Sequence, residues 1–69
     1  MREQIRKRLV EEIKASGKSI KDIAKELGIS HTNISQYKTT EKLPTLENFA
    51  KLCKIIGADA NYILGLTDN

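Results

Sequence analysis

The stretch Ser19 to Tyr37, SIKDIAKELGISHTNISQY, decides how the chain is read. Ser19 followed by Asp22 is a helix start, a variant of the capping box. Ile20, Ile23, Ala24 and Leu27 then recur at helical spacing and form one inward stripe. Ala24 is small where a neighbouring helix must cross closely. Gly28 ends this helix, because a left-handed residue re-aims the chain and glycine adopts it without a Cβ penalty. Ile29 returns to the core and Ser30 caps a further helix, His31 to about Thr39.

Two helices joined by so short a turn must cross steeply, which is helix-turn-helix geometry. In the second of them Ile34 and Tyr37 point one way, toward the core. Thr32, Ser35, Gln36 and Thr39 then occupy the opposite side, with His31 and Asn33 on its flanks. The chain is 30% charged, yet no charge falls between Leu27 and Lys38. An ordinary solvated helix face would carry Glu and Lys. Amides and hydroxyls are what base edges need. Gln can pair bidentately with adenine, and Thr can offer a hydroxyl or a methyl to thymine.

Outward from this stretch the pattern remains helical. Residues 2–16 form a first helix, with Ile5, Leu9 and Ile13 in one stripe, Val10 beside them, and Gly17 as its stop. The cluster Arg6-Lys7-Arg8 reads either as a solvated face or as a phosphate contact, the solvated face being the commoner case. Thr40 to Leu43 is a loop that places Lys42 for a phosphate. Thr45, after Pro44, caps a fourth helix whose main stripe is Leu46, Phe49, Ala50, Cys53 and Ile56, widened by Leu52 and Ile55. Gly57 closes it. Asp59 caps a short fifth helix, Ala60 to about Leu64. Tyr62, Ile63, Leu64 and Leu66 either close the core or, with Ile55, form a dimer seam.

At 69 residues the chain is one domain, 1–69, with no room for a separate sensor. Twelve Lys+Arg against nine Asp+Glu give a net charge of +3, a mild bias toward polyanions. Cys53 is the one cysteine, so no internal disulfide or zinc cluster can form, which suits a reducing cytoplasm. It reads as a small core residue. No run has the character of a secretory signal or a membrane span.

From Ser19 to Leu46 the sequence resembles the Cro/CI-like (XRE-type) helix-turn-helix family of phage and bacterial repressors. Ile23-Ala24, Leu27-Gly28-Ile29-Ser30, Asn33-Ile34-Ser35, Tyr37 and Pro44-Thr45-Leu46 carry the likeness. The TLENFAKLCKIIGA and NYILGLTDN segments extend it over nearly the whole chain. The resemblance implies an all-α, five-helix, lambda-repressor-like bundle in a bacterial or phage-encoded cytoplasmic protein. It implies a homodimer that binds double-stranded DNA at a palindromic operator, with the third helix in the major groove. By position, His31, Thr32 and Gln36 would read bases. Ser19, Asn33, Ser35, Thr39 and Lys42 would lie along the groove or near phosphates, with the backbone N–H groups that open the second helix. Two positions depart from the family pattern: Ile20 stands where many members carry a phosphate-bracing Gln, and Thr40 where many carry Gly. A β-branched residue with positive φ at position 40 would be strained.

The favoured reading is a sequence-specific regulator, a repressor acting by occupancy through a weak dimer that tightens on DNA. No cofactor or small-molecule ligand is implied. The alternative is a protein-interaction module on the same fold, an antitoxin or anti-repressor, since fold does not fix function. An enzyme is disfavoured: His31 and Cys53 stand alone, and no carboxylate pair, phosphate loop or metal spacing is present.

Overall fold

The computed structural model describes residues 1–39 and 42–67. Within them the chain is all-α, with helices α1 (Arg2–Ala15), α2 (Ile20–Leu27), α3 (His31–Thr39), α4 (Leu46–Ile56) and α5 (Ala60–Leu64). The expected strain at Thr40 falls outside the described residues. No helix among those described is long and apolar enough to cross a membrane.

The helix boundaries follow from their caps. The hydroxyls of Ser19 and Thr45 accept the N–H groups of Asp22 (3.1 Å) and Asn48 (3.2 Å). The Asp59 carboxylate accepts from Asn61 (2.9 Å) and Tyr62 (3.4 Å). Each takes up a donor that the first turn of a helix would otherwise leave without a partner. Gly28 closes α2 with φ 75°. Its N–H reaches Lys25 O (3.3 Å), and the N–H of Ile29 reaches Ala24 O (3.1 Å). This is the double closure of a Schellman turn, which requires a left-handed residue between the two donors.

The core draws on every helix. Its fully buried side chains are Leu9 and Ile13 of α1, Ile23 of α2, Ile34 of α3, Leu52 of α4 and Ile63 of α5. The pair α2–α3 packs together, α4 packs on α2, and α1 lies against both α3 and α5.

The stripe of α4 differs from the expected one. Leu46 is 84% exposed, and Ala50 is exposed, while Phe49, Leu52 and Cys53 are buried and Ile55 and Ile56 half-buried. The buried face runs 49, 52, 53, 56. At 100° per residue Ala50 lies about 110° from its centre and Leu46 about 70°. Leu46 is also the first residue of the helix, where no further turn covers it. The apolar group around α5 divides as well: Ile63 is fully buried, Tyr62 and Leu64 half-buried, and Leu66 is 70% exposed.

The two arginines of the basic cluster of α1 serve the fold, while Lys7 between them is exposed. The Arg6 guanidinium donates to Lys38 O at the end of α3 (3.0 Å) and pairs with Glu3. Arg8 donates to Tyr62 O (2.6 Å) and lies over the Tyr62 ring, 4.5 Å from its centroid. Two residues apart on a helix is about 200°, so the two arginines reach different neighbours. Both are partly buried, and neither is the freely solvated or phosphate-facing group that the sequence suggests.

Candidate nucleic-acid interface

The helix α3 is built to hold one face still and leave the other open. Ser30 Oγ accepts the N–H of Thr32 (3.2 Å), and the N–H of Asn33 reaches Ser30 O (3.0 Å), which together start the helix. Ile34 (0% exposed) and Tyr37 (3%) anchor it. Burial raises the Tyr37 phenol above its ordinary pKa, so it stays neutral through the physiological range.

Of the candidate base-reading residues, Thr32 and Gln36 lie opposite the anchors and His31 on the flank. His31 and Thr32 are exposed, and their side chains make no hydrogen bond among the described residues. They stand at the N-terminal tip. Gln36 is half-buried, and its Oε1 accepts from Lys42 Nζ (3.1 Å). Lys42 has only donors, so the amide oxygen must face it. In the free chain Lys42 therefore reaches to the reading face while remaining exposed.

The groove and phosphate candidates are placed as follows. Thr39 is exposed, but its hydroxyl donates to Ser35 O (3.3 Å), back along the helix. Its methyl is then the group most available outward. Asn33 on the flank and Ser35 on the open side are both half-buried. The Ser19 hydroxyl is engaged as the cap of α2. What it leaves for an anion is the positive end of the helix, whose first N–H groups have no partner within it. Ile20 is half-buried and packs against the core, so the position after the cap serves packing here. Sequence reasoning missed Arg6 and Arg8 as ties. The one available signal was the density of three basic residues beside an apolar stripe.

The sequence pattern that defines the helix-turn-helix family matches residues 9–63. The chain belongs to the helix-turn-helix family. Among curated relatives it is similar to the cryptic phage CTXphi transcriptional repressor RstR of Vibrio cholerae serotype O1, with 34% identity over 62 residues. That match covers 90% of this chain and 55% of the relative. It is also similar to YobD of Bacillus subtilis, an uncharacterized HTH-type transcriptional regulator, with 30% identity over 56 residues, 81% of this chain and 50% of the relative. The chain thus spans about half the length of the curated relatives it matches. No solved structure matches it. The family match contains the whole of α2, the turn and α3, so the helix with the uncharged face is the second helix of the motif.

Proposed function

We propose that this chain is a sequence-specific double-stranded DNA-binding transcriptional regulator, a repressor that occupies a palindromic operator as a homodimer. One observation carries the reading: the second helix of a helix-turn-helix is anchored by Ile34 and Tyr37 and presents only uncharged hydrogen-bonding groups opposite them. His31, Thr32 and Gln36 read base edges in the major groove. Ser19, Asn33, Ser35, Thr39 and Lys42 line the groove or meet phosphates, and the first N–H groups of α2 receive a phosphate oxygen. The two α3 helices of the dimer enter successive turns of the groove, about 34 Å apart.

Gln36 carries a condition with it. Pairing with adenine uses Oε1 to accept from the base amino group and Nε2 to donate to N7. Lys42 must therefore share or release that oxygen on binding, and a phosphate nearby would draw the ammonium away. The expectation that Lys42 meets a phosphate and the contact seen in the free chain are then two positions of one side chain.

The test is selection from a pool of random duplexes at several salt concentrations. A palindromic motif should emerge, and log affinity should fall steeply with log salt as phosphate contacts release counterions. Binding without an enriched motif would remove the readout role of α3. No binding at low salt would remove the DNA reading altogether.

A further inference from the structure

Each of the other described helices ends at or just before a glycine of positive φ: Gly17, Gly28, Gly57 and Gly65. No glycine follows α3 until after α4; Thr40 stands next in sequence. The last carbonyls of a helix have no partner within it and take donors from elsewhere. One is supplied from 32 residues away: Arg6 Nη1 donates to Lys38 O at 3.0 Å, partly buried, while a second guanidinium nitrogen pairs with Glu3 one turn earlier on α1. A cation at that end also opposes the negative pole of the α3 dipole.

We propose that Arg6, oriented by Glu3, is a positioning residue for α3: it caps the C-terminal end of the reading helix in trans and fixes how that end lies in the groove. The inference rests on the DNA reading above and goes beyond its list of contacting residues. The N-terminal end of α3 is held by the turn at Gly28 and by the Ser30 cap. Its middle is held by Ile34 and Tyr37. Beyond Tyr37, the described tie from another helix is the one from Arg6. Nine residues make α3 about 13 Å long, so a tilt of about 5°, taken up by shifts of under about 1 Å at the Ile34 and Tyr37 anchors, moves its far end by about 1 Å. His31 and Thr32, near the pivot, would hardly move. Gln36 and Thr39 would move most.

The experiment compares the selected base profile and the amide hydrogen exchange of the wild-type chain with those of Arg6→Ala, Arg6→Lys and Glu3→Gln. Arg6→Ala should bind its preferred site about tenfold more weakly, with preference lost at the base pairs served by the C-terminal half of α3 and kept at those served by its tip. Exchange at residues 36–39 should quicken while that of α2 and α4 is unchanged. Arg6→Lys keeps the cation but loses the fork whose two nitrogens serve Lys38 O and Glu3 separately, so it should restore part of the profile. Glu3→Gln should fall between the two and keeps the variant set informative if Arg6→Ala does not fold. A uniform loss across all sequences with a shallower salt dependence would make Arg6 a phosphate contact and overturn the proposal. An unchanged base profile, or unchanged exchange at the end of α3, would overturn it equally. Failure of the DNA reading itself shows earlier, as a wild-type chain that selects no motif, whereas failure of the positioning role shows only in the variants.

Discussion

Replacing Gly28 with alanine isolates one term in the geometry of the motif. Gly28 holds φ at 75°, and a Cβ built there meets no heavy atom within 4 Å beyond its chain neighbours. The substitution therefore creates no clash, and its cost is conformational. An L-residue in the left-handed region loses about 1–2 kcal/mol. Restricting the unfolded chain returns about 0.4–1 kcal/mol. The net loss should be about 1 kcal/mol, which for a domain of this size lowers Tm by about 4–8 °C. Urea unfolding followed by circular dichroism measures it, and the midpoint should move without a change in slope. Gly28→Asn should cost less, because asparagine tolerates this region. The sharpest variant is chemical: Gly28→D-Ala carries its methyl on the other Cα position, for which φ near 75° is the ordinary conformation, and should be more stable than Gly28→Ala. A loss above about 3 kcal/mol for Gly28→Ala would mean that the turn is limited by sterics and not by backbone strain. A D-Ala chain less stable than the Gly28→Ala chain would refute the reasoning.

Other outcomes follow from the same contacts. Arg8→Ala removes a hydrogen bond to Tyr62 O and a cation–π contact, and should cost about 1–3 kcal/mol in urea unfolding, with the loss reduced in a chain already carrying Tyr62→Leu. Gln36→Ala should weaken the preferred site by about 1–3 kcal/mol and relax preference at one base pair, read by competition binding with single-site variants of the operator. Burial first, then the carboxylates of Asp59 and Glu12, raises the Cys53 thiol. The folded chain therefore keeps its proton at a pH where the unfolded chain loses it. Stability from this site should be full below about pH 8 and fall as pH rises through the unfolded value and on to the folded one. A Cys53→Ala chain should lack that alkaline decline until the buried Tyr37 begins to titrate. Leu46→Gln should change stability by less than about 0.5 kcal/mol, because Leu46 is 84% exposed.

The elements legible in the sequence are those whose signals are local. Ser19, Thr45 and Asp59 cap the helices they precede, Gly28 and Gly57 close helices, and Ile23, Ala24, Leu27, Ile34 and Tyr37 are buried together, because spacing and capping act within one or two turns. The reading of α4 strayed where that locality ends. Apolar spacing put Leu46 and Ala50 in the stripe, but which arc of an apolar helix faces inward is set by α2, which periodicity does not contain. The arginines were unreadable for the same reason. Arg6 and Arg8 acquire their partners 32 and 54 residues away. Lys42 reads as a phosphate contact from its place after α3, and its hydrogen bond to Gln36, six residues away, is one that helical spacing does not specify.

The division of α3 into anchored and open faces has a consequence for change over time. Its stability is vested in Ile34, Tyr37, the Ser30 start and the Arg6 tie, none of which is a candidate base reader. Positions 31 and 32 are exposed and their side chains make no hydrogen bond among the described residues. They can drift, or be exchanged by design, without the compensating core mutations that altered binding surfaces usually demand. A lineage of such chains could acquire new target sites as fast as substitutions arise at those few codons, and closely similar folds would then be poor guides to shared targets.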